Sequence, residues 1–281
     1  MRSFAVRRLM NLVMTGLCGV ALVAAFIPLT SVLYLVISRG AAGLSWDFFT
    51  ALPKPVGEAG GGIGNALAGT MYMVGLACLM GLPLGVGAGV FLAERGDGTL
   101  GNTVRFVAEV LSGVPSIVIG IVAYAMVVIP MHHFSALAGS VALAIMMIPG
   151  LARATEELIR VVPGSLREAS LALGVTNWRT SLLVILRTAT AGVVTACLLA
   201  VARAAGETAP LLFTALNNQY WNFSPVQPTA SLTVAIFNYA ISPYEDWHEK
   251  AWTASLVLLM LVGLLNVASR LLTRNRLKGA R

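Results

Sequence analysis

Charge is scarce in this sequence: 11% of its 281 residues are Asp, Glu, Lys or Arg, against 57% hydrophobic. The apolar residues come in blocks far longer than a soluble core helix needs, which excludes a soluble enzyme. Cysteine is scarce too. Cys18, Cys78 and Cys197 each sit inside an apolar run with no paired spacing, so neither a disulfide framework nor a zinc site is suggested. No Gly-x-x-x-x-Gly-Lys-Ser/Thr loop occurs, so ATP is not held here in the usual P-loop manner. His248-Glu249 opens like the metalloprotease pattern His-Glu-x-x-His, but position 252 is Trp. His132 and His133 adjoin a turn and carry no ligand pattern, and the Met pairs 71 with 73 and 146 with 147 read as helix packing. No nucleophile with a base, and no metal constellation, is visible.

What remains is an all-α polytopic pattern. A hydrocarbon core of roughly 30 Å needs about 20 mostly apolar residues per helix. Six blocks qualify: 12–37, 66–92, 104–129, 136–151, 182–216 and 251–272. The fourth is short and contains Pro149. The first exceeds a signal-peptide core, so it is expected to stay as a span. Short loops rich in Lys and Arg remain cytoplasmic. With the N-terminus inside, the inner segments hold fifteen basic residues (Arg2, Arg7, Arg8, Arg95, Arg105, Arg153, Arg160, Arg167, Arg179, Arg187, Arg270, Arg274, Arg276, Lys278 and Arg281). The outer loops hold three, Arg39, Lys54 and Lys250, so both termini are expected in the cytoplasm. The net charge of +7 is then a topology signal with some attraction for anionic lipid, and not a nucleic-acid face.

Three parts are expected: a first span with a Gly- and Pro-rich outer linker over 1–64, a core over 65–272, and a basic cytoplasmic tail over 273–281. The last outer loop, 217–250, carries Tyr220, Trp221, Phe223, Tyr244 and Trp247, suited to an interfacial aromatic belt. Within it, 230–240 is apolar enough for a short helix or re-entrant piece.

The stretch from Ser165 to Pro210 is the most informative. Pro163 and Gly164 break the preceding helix, and Ser165-x-x-Glu168 matches a capping box. Ala169, Ser170 and Leu173 follow at helical spacing, and Gly174 is placed to end the helix in the left-handed conformation. A helix of two or three turns beneath the membrane is expected, its exposed face built from small residues that let another protein approach. Glu168-Ala169-Ser170-x-x-x-Gly174 resembles the EAA loop of ABC-importer permeases, whose coupling helix seats in a groove of the ATPase subunit. Where that loop usually continues to Ile-x-Leu-Pro, this chain has Val184, Leu186 and Arg187.

Arg203 and Glu207 lie inside the fifth apolar block, four residues apart and so on one helix face. Charge within a span is costly and marks function by default. The pair either neutralises itself as a structural element or serves a translocation pathway. An arginine offers a planar fork of five donors suited to a phosphate-like oxyanion, and a neighbouring glutamate can hold the fork, accept a proton, or close an empty site. Gly206 is expected to admit another backbone, and Pro210 to bend the helix. Glu109 is a third intramembrane charge, either on the pathway or paired with Arg105 at i, i+4 near the interface.

Arg203-Ala-Ala-Gly206-Glu207-Thr208-Ala209-Pro210-Leu211-Leu212-Phe213-Thr214-Ala215 resembles the fifth-span signature of phosphate-specific ABC transporter permeases, and its Ala-Pro-Leu-Leu ending looks like the PstA type. Pro115-Ser116-Ile117-Val118-x-Gly120, Gly61-Gly62-Ile63-Gly64 and Phe237-Asn238-Tyr239 look similar, so the likeness runs over about 61–270. It implies a six-span type I ABC importer permease fold in the bacterial inner membrane, with no cofactor of its own because ATP binds a separate subunit. It also implies a PstC-like permease, a PstB-like ATPase dimer and a PstS-like external phosphate-binding protein as partners. Arg203 and Glu207 would serve phosphate passage; Glu168, Ala169, Ser170 and Gly174 would couple to the ATPase. A permease for sulfate, molybdate or phosphonate remains open, since arginine reads charge and shape more readily than element. An ion-coupled secondary transporter would show matched broken repeats, and no second copy of the 203–210 pattern is present.

Overall fold

A backbone in hydrocarbon has no partner but itself, so long apolar runs settle into helices that satisfy every N–H and C=O internally. The computed structural model describes residues 4–58 and 60–278; its regular structure is all helical, with no strand among the described residues. Arg2, Arg281 and the last three residues of the expected basic tail lie outside the described residues. Helix α1 (Phe4–Gly40) is followed by the short α2 (Trp46–Thr50), α3 (Gly64–Arg95), α4 (Thr99–Gly113), α5 (Ser116–Ala123), α6 (Ile129–Met131) and α7 (Ala136–Arg160). Then come α8 (Gly164–Ala172), α9 (Asn177–Arg179), α10 (Leu186–Ala205), α11 (Ala209–Leu212), α12 (Leu232–Ala240) and α13 (Glu245–Lys278). A π-helical turn, Tyr124–Val128, joins α5 to α6, and another, Thr180–Ile185, joins α9 to α10.

Among the described residues, five helices are long and apolar enough to cross a membrane, and a bent pair, Thr99–Gly113 with Ser116–Met131 meeting at 107°, makes six when counted as one broken span. The third apolar block, 104–129, is therefore not one straight span. Pro115 has no N–H to donate and forces Val114 into extended backbone (ψ 131°), which ends α4. Helix α4 then presents Phe106, Val107 and Val110 outward while Arg105 turns to the protein. The fourth block, in contrast, runs past Pro149 as one helix to Arg160.

The tightest contact is between α3 and α7. Gly81, Gly85 and Gly89 recur every four residues on α3, and a Cβ on each would meet Ala144 at 3.4 Å, Leu151 at 3.0 Å and Thr155 at 2.5 Å. Small residues at this spacing let two membrane helices approach closely, and packing, not hydrophobicity, is what holds helices together in lipid. Met73, Ala77, Leu143, Met147 and Leu211 fill the centre of this layer. A second cluster of Phe48, Ile63, Leu232 and Val257 fastens the segment between α1 and α3 to α12 and α13. The glycine-rich stretch before α3 is thus tied down, with Ile63 N donating to Phe48 O (2.8 Å) and Gly64 N to Ala51 O (3.1 Å). Helix α1 is exposed along most of its length and meets α13 at its far end, where Arg39 stacks on Trp252 at 5.7 Å. The apolar piece near 230–240 forms α12, capped by Ser231 Oγ accepting from Val234 N at 3.3 Å.

Candidate functional site

Three groups of charge-bearing side chains stand out, and the fold treats them differently. The first is Arg203 with Glu207. Pro210 clashes with the carbonyl four residues back, which is that of Gly206, and α10 ends there, at Ala205, before restarting as α11. The break leaves Arg203 in the last turn of α10 with its side chain 76% exposed, while Glu207 is 18% exposed. Their closest approach, Arg203 Nε to Glu207 Oε1, is 3.8 Å: an ion pair too long for a hydrogen bond. Both line a cavity of about 260 Å³, walled by Met146, Met147, Gly150, Leu151, Ala154 and the face of α10. Gly150 lies fourteen residues into the 25-residue α7, so this cavity is near the middle of the helix, at about 21 Å from its start. The backbone around it is held firmly: Thr233 Oγ1 of α12 donates to Glu207 O at 2.7 Å. The close backbone approach expected at Gly206 falls elsewhere. The nearest atom to a Cβ there is Arg203 O at 3.6 Å, whereas a Cβ on Gly120 would lie 2.6 Å from Pro210 Cα. It is the Gly120 contact that seats α11 against α5.

The second group surrounds a carboxylate that sequence reading passed over. Glu156 is 4% exposed, and three arginines converge on it. Its Oε1 accepts from Arg105 Nε at 2.7 Å and faces Arg160 Nη2 at 3.0 Å; Oε2 faces Arg153 Nη1 at 3.7 Å. Arg105 also donates to Gly96 O (2.7 Å) and Leu92 O (3.0 Å), the orphan carbonyls that end α3. So one guanidinium fastens α3, α4 and α7 together at one end of the bundle. Glu109 belongs to this group: its partner is Arg153 (3.0 Å), not Arg105 as the i, i+4 spacing suggested, and its side chain is 60% exposed. The structure does not bring Glu109 to the Arg203 cavity. Glu156 escaped notice because Arg153-Ala-Thr-Glu156-Glu157 reads as an ordinary charged inner surface, and its cations come from two separate helices.

The third group is on α8. Pro163 precedes the helix and no side chain caps it, so the expected Ser165-x-x-Glu168 box does not form: the helix starts at Gly164, one residue before Ser165. Its end follows expectation. Gly174 takes φ 77°, Val175 N donates to Ser170 O (3.2 Å) and Gly174 N to Leu171 O (2.9 Å), the paired bonds of a Schellman stop. Glu168, Ala169 and Gly174 are exposed, as are the large apolar Leu173 and Leu171. Ser170 is not part of that open face. It is buried, its Oγ 2.9 Å from Thr180 Oγ1 in the π-helical turn.

Residues 85–277 match the family model for binding-protein-dependent transport system inner membrane components. Among curated proteins, the chain is 43% identical over 242 residues to the phosphate transport system permease protein PstA of Yersinia pestis, covering 86% of this chain and 82% of that one. It is 40% identical over 271 residues to that of Haemophilus influenzae, covering 96% of each. Among solved structures, a chain of the MetNI methionine ABC transporter superposes with a TM-score of 0.59 at 21% identity, over 76% of this chain and 93% of that one. A chain of a bacterial alginate ABC transporter superposes with a TM-score of 0.62 at 12% identity, over 98% of both, a likeness of fold alone.

Proposed function

Because this chain belongs to the family of binding-protein-dependent transport system inner membrane components, alongside PstA-type phosphate permeases, it is a permease subunit of an ATP-driven phosphate importer, and we propose that phosphate crosses it at Arg203. Such permeases work with a second permease, an ATPase and a substrate-binding protein, and the hydrolytic chemistry is the ATPase's. We assign those partners as a PstC-like permease, a PstB-like ATPase dimer and a PstS-like phosphate-binding protein. Both chain ends then face the cytoplasm, in line with fifteen basic residues on that side against three outside.

The observation that carries the role of Arg203 is its openness. An arginine near the middle of a span is expensive unless its donors are used. Here the guanidinium faces a cavity and the one carboxylate near it stands at 3.8 Å, so its donors are available to an anion. A second permease packed over this side would close the cavity and dry it, which strengthens each charge-assisted hydrogen bond. Glu207 neutralises the guanidinium between transport events and yields it to the arriving anion; with the Thr233 bond fixing its backbone, it can do so without moving α10. Glu168, Ala169 and Gly174 form the exposed face on which the ATPase pushes. Ser170 acts behind that face, through Thr180. Glu109 is assigned to the ion pair with Arg153, outside the pathway.

The test is ATP-dependent uptake of phosphate by the four-component complex in vesicles, with excess sulfate as competitor, for wild type and Arg203→Gln. Uptake that needs ATP, resists sulfate and disappears in the variant supports the assignment. Uptake that persists in Arg203→Gln refutes the role of Arg203, and full competition by sulfate refutes the substrate.

A further inference from the structure

Helix α8 is only nine residues long and exposes its outward face, so whatever force a partner applies must leave it through few connections. Two polar ties serve. One is Ser170 Oγ with Thr180 Oγ1. The other runs through Glu94, in the last turn of α3, whose two oxygens are both engaged: Oε1 accepts from Arg167 Nη2 of α8, and Oε2 accepts from Ser181 Oγ at 2.7 Å. This carboxylate is 14% exposed, so solvent does not compete freely for it. It therefore joins three elements at one point: α3, α8 and the π-helical turn from which α10 grows.

Two of those elements, the π turn and α3, lead to the Arg203 cavity. The turn Thr180–Ile185 continues into α10, and Arg203 lies about 27 Å beyond its end at 1.5 Å per residue. Helix α3 is locked to α7 by Gly81, Gly85 and Gly89, and α7 supplies the opposite wall through Met147, Gly150, Leu151 and Ala154. A π turn is a wide turn whose register can revert to α, so the root of α10 is a place where a small push becomes a rotation of the helix. Room for that movement exists: a cavity of about 460 Å³ lies beside Glu94, lined by Arg167, Trp178, Ser181 and Leu182.

We propose that Glu94 is a positioning residue of the transport cycle, the joint through which movement of α8 reaches both walls of the Arg203 cavity. The proposal rests on the transport reading above. Without the joint, α8 still moves with the ATPase but the walls follow incompletely, and ATP is spent without phosphate crossing. Glutamine at position 94 keeps the shape and can still meet Ser181 by donating its amide to the hydroxyl, which already has Asn177 O as an alternative acceptor, but it removes the charge from the Arg167 tie. Ser181→Ala removes a single hydroxyl from one arm and spares the fold.

The experiment measures phosphate imported per ATP hydrolysed by the complex in vesicles, for wild type, Glu94→Gln and Ser181→Ala, with melting temperatures of each complex. Wild-type import tests the transport reading by itself. Given that import, the ratio is expected to fall about tenfold in Glu94→Gln, the worth of one charge-assisted hydrogen bond, and about threefold in Ser181→Ala, while ATP hydrolysis continues. A ratio unchanged in both variants overturns the proposal, as does a loss of import matched by an equal loss of hydrolysis or of assembled complex. Those results would make Glu94 a static brace.

Discussion

The clusters around Glu156 and Arg203 contain the same chemistry in opposite states. At Glu156 one carboxylate is enclosed by three arginines, and Arg105 also donates to two carbonyls that end α3 and to Asn102 Oδ1. At Arg203 one arginine faces a cavity with a single carboxylate held off at 3.8 Å. A buried carboxylate held by three cations is a fastening, even though only Oε1 of Glu156 is hydrogen-bonded: removing the arginines would strand its charge in low dielectric. An arginine with donors unspent that faces a cavity is what the proposed anion site requires. The lesson is that residue type does not separate structure from function in a membrane chain; the number of donors already used does.

The largest effect expected is on stability. Glu156→Gln leaves Arg105, Arg153 and Arg160 facing a neutral amide, and the loss should be about 3–5 kcal/mol, seen as failure of the purified chain to assemble or as a much lowered melting temperature. Next is Arg203→Gln, which should cost about a hundredfold in phosphate uptake, equivalent to about 2.7 kcal/mol, while leaving the melting temperature near that of wild type. A stability loss there comparable to that of Glu156→Gln would erase the contrast between the two clusters. Third is Gly89→Ala, whose Cβ would sit 2.5 Å from Thr155 Cβ, next to Glu156. Overpacking there should cost about 1–3 kcal/mol in thermal unfolding without touching any charge, which separates close packing from electrostatics at this end of the bundle. The smallest effect should come from Glu109→Gln. Its ion pair with Arg153 is largely exposed, so less than about 1 kcal/mol is at stake, and uptake should be unchanged. A large uptake defect in Glu109→Gln would return that residue to the pathway.

Much of this was legible along the chain, because composition speaks loudly in a membrane. The apolar blocks located the spans, and Arg203 with Glu207 announced itself as charge inside one of them. The apolar piece that forms α12 was readable for the same reason. What failed depended on neighbours distant in sequence or on which of two local rules wins. Ser165 matched a capping box, yet the break set by Pro163 started α8 a residue earlier and left its hydroxyl out of place. Pro115 was quoted for its motif while its effect on Val114 turned one expected span into two segments at 107°. Gly206 was read as a close-approach glycine, but the approach is made at Gly120, which only the fold brings to Pro210. The spacing of Gly81, Gly85 and Gly89 was present in the sequence as a small-residue stripe, and its partner on α7 was not. No local pattern marks the joint at Glu94 or the Arg105 bond of Glu156: Arg167 and Ser181 lie 73 and 87 residues from Glu94, and Arg105 lies 51 from Glu156.

The most direct measurement sets the two clusters side by side: phosphate uptake per assembled complex, with melting temperature on the same preparations, for Arg203→Gln and Glu156→Gln. Arg203→Gln should assemble and melt like wild type and import almost nothing, while Glu156→Gln should assemble poorly and import in proportion to what assembles. If Arg203→Gln imports normally per complex, or if the few Glu156→Gln complexes that form import nothing, the division of these charges into a ligand site and a fastening is wrong.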